Sequence, residues 1–169
     1  MSITTKRGDN GYTALCAGPR VRKDDLRIEA LGFVDELSSF LGLAKSALPA
    51  RSAKFLISSV QKDLFMVGAE VAAGPNAKRV GRISPRDVAR LEKQIAALEK
   101  RNTRHGFIAP GENLISATFD VARAISRRLE RRIVTLKRKR LFNNTDASVY
   151  CNRLSDLLFL LARSHEKKP

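Results

Sequence analysis

The chain has no tryptophan, and aromatic residues make up only 6% of its 169 positions. Alanine, leucine, arginine and lysine dominate instead, a helix-forming set. Its two cysteines, Cys16 and Cys151, form no CxxC pair. That excludes a disulfide scaffold or a cysteine-built metal site and fits free thiols in a reducing compartment. Two histidines, His105 and His165, do not make a metal cluster. Acidic residues are scarce: 17 Asp and Glu stand against 32 Lys and Arg, a net charge of +15. The imbalance favours anionic partners (nucleotides, nucleic acid or acidic surfaces) without choosing among them. No apolar run reaches membrane-spanning length, and the opening Met-Ser-Ile-Thr-Thr-Lys-Arg lacks the apolar region of a signal peptide. Repeats and low-complexity blocks are absent too. The expectation is a cytoplasmic protein of one domain.

What is present is helical periodicity. From roughly residue 24 to 49, Leu31, Val34, Leu37, Leu41, Ala44 and Leu48 share a face, with Asp35 opposite, near Ser39 and Gly42. From about 53 to 73, Phe55, Leu56, Ser59, Val60, Leu64, Val67 and Val71 recur at helical spacing, and Gly74-Pro75-Asn76 ends the run. Ser84-Pro85-Arg86-Asp87 reads as a helix start, with an N-cap, a proline at the first position and an acid at the third. That helix extends to about Lys100. A fourth covers about 114–139 and a fifth about 146–164, whose leucines occupy nearly the whole circumference. No convincing strand appears. The pattern predicts an all-α fold, a five-helix bundle. A last helix apolar all round invites oligomerisation to cover it.

The fourth helix carries the unusual feature. Val121, Ala122, Ile125, Leu129, Ile133 and Leu136 fall on one face, while Arg123, Arg127, Glu130 and Arg131 gather on the other. Arg123–Arg127 and Arg127–Arg131 are like-charge pairs at i,i+4, each costing a few tenths of a kcal/mol in an isolated helix. A solvated basic face is one explanation. The other is a polyphosphate site, because guanidiniums bind phosphates through paired donors.

Three further features carry a bland and a sharp reading each. Thr4 to Asp25 is rich in glycine and threonine; its backbone amides could cradle phosphates, although it lacks the Lys-Ser/Thr ending of a P-loop, and a flexible arm is the alternative. Phe107, in the loop Phe107-Ile-Ala-Pro-Gly111, either plugs the end of the bundle or meets a ligand. Asn152, Ser155 and Asp156 interrupt the apolar last helix and bond either to neighbouring helices or to a ligand.

Four blocks in order resemble the PduO-type ATP:cob(I)alamin adenosyltransferases. They are Thr5-Lys-Arg-Gly-Asp-Asn-Gly-Tyr-Thr13; Lys23-Asp-Asp with Val34-Asp-Glu-Leu-Ser38; Phe107-Ile-Ala-Pro-Gly111; and Arg123-x-x-x-Arg-Arg-x-Glu-Arg131 with Tyr150-Cys-Asn-Arg-Leu-Ser-Asp156. The resemblance covers almost the whole chain. It implies a trimer of five-helix bundles with active sites between subunits, transferring the 5′-deoxyadenosyl group of ATP to the cobalt of a reduced corrinoid and releasing triphosphate, with Mg2+ assisting. By the same resemblance Thr5, Lys6, Arg7, Gly8, Thr13, Ala14, Lys23, Arg127, Arg128, Glu130, Arg131 and Asn152 bind the nucleotide, residues 1–25 forming its arm. Asp35 pairs with Arg127 across subunits, Phe107 shields the lower face of the corrin, and no residue is assigned as a metal ligand. A cobalamin reductase and an adenosylcobalamin-dependent enzyme are the implied partners.

The residues agree in kind with that expectation. Cationic groups would stabilise the departing triphosphate, and cobalt is itself the nucleophile, so no catalytic triad is needed or found. Arg7, Ala14 and Glu112 depart from the commoner family residues. Two other classes remain open on sequence: a nucleotide or adenosylcobalamin sensor without turnover, and a basic helical nucleic-acid binder drawing on Lys137-Arg-Lys-Arg140.

Overall fold

Strong local signals start and stop the helices where the sequence places them. The computed structural model describes residues 4, 6–15, 20–75, 81–102 and 108–167. Within them the helices are α1 (Leu26–Ala47), α2 (Arg51–Ala73), α3 (Pro85–Glu99), α4 (Leu114–Arg138) and α5 (Thr145–Ser164). The carboxylate of Asp25 caps α1 by accepting from the Arg27 amide at 2.8 Å. Ser84 donates its amide and hydroxyl to Asp87 at 2.9 and 2.6 Å, closing the first turn of α3. The Asn113 side chain accepts the Ile115 and Ser116 amides and so opens α4, and Asn144 does the same for α5 through the Ala147 amide.

The helices stack in the order α2, α1, α4, α5, α3, with α4 central between α1 and α5. Leu37 and Leu41 of α1, Leu64 of α2, Phe119, Ile125, Leu129, Ile133 and Leu136 of α4, and Tyr150 and Leu154 of α5 fill the interior and are buried. Two buried carboxylates of α2 tie the outer layers down. Asp63 accepts from the Tyr150 hydroxyl at 2.7 Å and, through both its carboxylate oxygens, from Arg90 Nη2 at 2.8 and 2.6 Å. Glu70 accepts from the Ile83 amide at 2.8 Å and from Asn144, anchoring the approach to α3 and the start of α5. Each buried charge thus has donors of the kind that burial demands.

Three expectations need correction. The N-terminal strip holds a short antiparallel hairpin, β1 (Tyr12–Ala14) with β2 (Arg20–Arg22), paired Tyr12 to Arg22 and Ala14 to Arg20. Three-residue strands are too short to show period-two patterning. Val121 and Phe55 face solvent, 43% and 77% exposed, rather than the core. Val121 sits at the margin of its helix's apolar arc, where a 100° step per residue decides little, whereas Phe55 stands nine residues from Leu64 and so on the opposite side of α2. Finally, α5 does not need a second copy to be covered: α3 and α4 bury Leu154, Leu157, Leu158, Leu160 and Leu161 within one chain. The exposed large apolar side chains lie elsewhere, among them Leu43, Phe65 and Val134. No helix of the described residues is long and apolar enough to cross a membrane.

Candidate functional site

The polar face of α4 divides into three strips, each with its own partners. Arg128 and Arg132 lean toward α1. The first pairs with Glu36 at 3.1 Å, its guanidinium 5.5 Å from the centre of the Phe33 ring, and the second pairs with Glu29. Arg127 and Arg131 form the exposed crest. Glu130 and Arg123 flank the crest on the side of α5.

Glu130 and Asn152, which the sequence singled out separately, meet there. The Asn152 side-chain amide donates to the Glu130 carboxylate at 2.9 Å. Its carbonyl oxygen accepts from Arg153 at 2.7 Å, and Arg153 reaches Glu92 of α3 at 3.1 Å. A polar chain therefore crosses from α4 over α5 to α3. Next to it lies an open cleft of about 510 Å³ lined by Glu99, Asn102, Arg123, Arg127, Ser155, Asp156, Phe159 and Leu160. Ser155 and Asp156, read from sequence as breaks in an apolar helix, thus belong to its wall. The Nε atom of Arg123 is buried and has no hydrogen-bond partner. Arg127 and Arg123 make no ion pair among the described residues, although Glu99 and Asp156 share the wall of the cleft with them. Arg123 joins the site here, and the sequence signal for it is its place one helical turn before Arg127 in the arginine row.

The N-terminal strip forms a second cationic surface. Gly8 and Lys23 come together: a Cβ added to Gly8 would lie 3.2 Å from the Lys23 ammonium nitrogen, and the lysine tip would have to shift slightly to admit it. Two turns, Asp9 amide to Lys6 carbonyl and Gly11 amide to Gly8 carbonyl, shape the strip, and the Lys23 amide donates to the Gly11 carbonyl at 2.9 Å. Lys6 holds φ at 55°, a conformation uncommon outside glycine. Lys6, Arg7 and Ala14 are exposed and Thr13 is half-buried on β1. Beside them Arg22 chelates Asp24 through two 2.9 Å bonds, which raise the guanidinium pKa and hold the carboxyl below its usual range.

Asp35 is exposed on α1 and makes no ion pair among the described residues. It is not drawn to Arg127 within one chain: Glu29 and Glu36 occupy the side of α1 that meets α4. Thr5 and Phe107 lie outside the described residues. Among the described residues no group of three or more His, Cys, Asp or Glu side chains gathers to hold a metal.

Comparison with known proteins ties this arrangement to one family. The family model described as cobalamin adenosyltransferase matches residues 3–165. A corrinoid adenosyltransferase of Citrobacter freundii is 41% identical over 170 residues, which cover 99% of this chain and 96% of that protein. The corrinoid adenosyltransferase PduO of Salmonella typhimurium is 36% identical over 98% of this chain, which spans 50% of that longer protein. Among solved structures, a phenylalanine-to-alanine variant of the PduO-type ATP:corrinoid adenosyltransferase from Lactobacillus reuteri, complexed with cobalamin and ATP, superposes with a TM-score of 0.87. That structure is 32% identical, and the match covers 96% of this chain and 92% of the other. By sequence and by fold, this chain belongs to the cobalamin adenosyltransferase family.

Proposed function

We propose that this chain transfers the 5′-deoxyadenosyl group of ATP to the Co(I) centre of a reduced corrinoid, forming the adenosyl-corrinoid and releasing triphosphate. The cobalt electron pair forms the Co–C5′ bond while the C5′–O bond breaks, its electron pair leaving with triphosphate. The reaction needs no protein nucleophile; it needs the two substrates aligned and the leaving charge stabilised. The observation that carries this reading is the Arg127–Arg131 crest of α4, flanked by the Asn152-to-Glu130 bond, beside a cleft lined by Arg123 and Arg127 together with apolar and acidic side chains. A solved relative of the same fold carries both substrates.

In this reading Arg127, Arg128, Glu130, Arg131 and Asn152 receive the nucleotide together with Thr5, Lys6, Arg7, Gly8, Thr13, Ala14 and Lys23. Residues 1–25 serve as an arm on a single domain that spans 1–169, and the arm and the α4 crest face each other between copies of a homotrimer. Asp35 would come from the neighbouring copy, and Phe107 would cover the lower face of the corrin. Magnesium, which keeps most of its ligands as water and phosphate, would arrive on the triphosphate and draw off its charge. A reductase supplying Co(I) and an enzyme consuming the adenosyl-corrinoid complete the expected setting, a reducing cytoplasm. Cys151 is a free, buried thiol whose pKa burial pushes up to about 12, inert in such a setting.

The test is a spectrophotometric assay with ATP, Mg2+ and chemically reduced cobalamin. Appearance of adenosylcobalamin is expected. ATP binding without product would make the chain a sensor, and salt-sensitive RNA binding with neither would make it a nucleic-acid binder.

A further inference from the structure

The N-terminal strip owes its shape to a residue not yet given a role. Arg20 opens β2, directly across the hairpin from Ala14. Its Nη2 group donates to the Arg7 carbonyl at 2.6 Å, with longer shared contacts to the Tyr12 carbonyl at 3.3 Å and the Asn10 side chain at 3.4 Å. The bond to Arg7 is the anchor; the other two are near the outer limit of hydrogen bonding.

That anchor fixes one peptide plane. In a trans peptide the carbonyl and the following N–H point in opposite directions. With the Arg7 carbonyl held by Arg20, the Gly8 N–H is turned to the other side. Among the described residues that amide has no acceptor. Gly8 is also the residue against which the Lys23 ammonium rests. An unused backbone donor and an ammonium group are thus brought to the same residue, the pairing that cradles a phosphate oxygen.

We propose that Arg20 is a positioning residue for the nucleotide: it orients the Arg7–Gly8 peptide so that the Gly8 amide and Lys23 together take a phosphate group of ATP. The role of Arg20 runs through its Nη2 group, whose contacts are all to the strip. Lysine can reach the Arg7 carbonyl but offers a single point donor without the planar fork, so it retains only part of the function. The proposal rests on the adenosyl-transfer reading above.

The experiment compares Arg20→Met, Arg20→Lys and Lys23→Met in the full chain, following KM for ATP, KM for the corrinoid, kcat and thermal unfolding, with calorimetric binding of inorganic triphosphate as a turnover-independent probe. Losing a charge-assisted bond that orders the cradle raises KM for ATP on the order of tenfold in Arg20→Met. Triphosphate affinity falls in parallel, while kcat at saturating ATP, KM for the corrinoid and the helical melting temperature stay near wild type; Arg20→Lys falls between. A normal KM for ATP in Arg20→Met, with Lys23→Met impaired, overturns the proposal and leaves the nucleotide reading standing. Loss of kcat and corrinoid affinity to the same degree as ATP affinity also overturns it, since Arg20 would then brace the whole site. Should Arg20→Met not fold, Arg20→Lys alone decides by the same split. Absence of ATP and triphosphate binding in the wild-type chain overturns the adenosyl-transfer reading itself.

Discussion

Asn152 of α5 donates its side-chain amide to Glu130 of α4 at 2.9 Å, joining two residues 22 positions apart beside the Arg127–Arg131 crest. Glu130 stands at i+3 from Arg127, within reach of its guanidinium. Held by Asn152, the carboxylate is kept from neutralising the arginine that a phosphate would otherwise claim.

Asn152→Ala releases that carboxylate. KM for ATP is expected to rise on the order of tenfold, the equivalent of one charge-assisted hydrogen bond, with a smaller change in kcat. Pairing it with Glu130→Gln, which removes the carboxylate that the bond positions, should add little further loss, because the two act as one unit. Steady-state kinetics of the two singles and the double decide it: an unchanged KM in Asn152→Ala means the bond only fastens α5 to α4.

The helices were legible in the sequence because capping and apolar periodicity are local. Ser84-Pro85-Arg86-Asp87 marks the start of α3 without reference to the rest of the chain, and the structure has α3 begin at Pro85. The arginine row was legible for the same reason, but its division was not. Arg127 and Arg128 are neighbours in sequence, yet one lies on the crest and the other pairs with Glu36, 92 residues away. Partner choice of that kind depends on how α1 packs against α4, which periodicity does not encode. The β1–β2 hairpin was missed because its order comes from Arg20 and from turns rather than from side-chain alternation. The exposed Phe55 shows the opposite failure, an apolar residue grouped with the core positions although it stands about 180° around α2 from Leu64 and faces solvent.

The Tyr150 hydroxyl donates to Asp63 at 2.7 Å in a buried setting, and burial together with that carboxylate pushes the phenol pKa far above its ordinary value. Tyr150→Phe leaves Asp63 with Arg90 alone and should cost about 1–3 kcal/mol. Urea unfolding measures it. In an Arg90→Met background the same substitution should cost more, because Asp63 is then left with no strong donor. Equal losses in both backgrounds would show that the two donors act independently.

Stability should fall on the acid side. Asp25 is held below the usual carboxylate range chiefly by Arg27, with its capped amide adding to the effect. For Asp87 burial pushes upward, but the Ser84 donors and Arg90 outweigh it and the net shift is downward. A lowered folded-state pKa contributes stability that is complete above the unfolded value of about 3.9 and is lost as pH falls through the folded value. Unfolding free energy measured by urea between pH 5 and pH 2 should therefore decline, and Asp87→Ala, which also removes a helix cap, should lower stability by about 1 kcal/mol at pH 7 and flatten the decline. A mutant as steep as wild type would show that other carboxylates control the transition.

The last expectation joins Asp35 to Arg127. Within one chain Asp35 is exposed and without an ion pair among the described residues, and so is Arg127. The side of α1 that meets α4 is taken by Glu29 and Glu36, and Asp35 stands about 100° around the helix from its neighbour Glu36. Arg127 of a neighbouring copy is the partner proposed for it. Arg123 and Arg131 repel Arg127 at i,i+4, so a second carboxylate would fix it before ATP arrives. A pair desolvated at such an interface leaves an uncompensated charge when one member is removed. Asp35→Asn and Arg127→Lys should each lower turnover on the order of 100-fold, the lysine failing because it lacks the planar paired donors. Since the two act as one unit, the double mutant should be scarcely worse than either single. Sedimentation at micromolar concentration checks the assembly in parallel, with a trimer expected. A stable monomer of full activity, additive losses in the double mutant, or an Asp35→Asn enzyme near wild type would each make Asp35 no more than a solvated acid on the surface of α1.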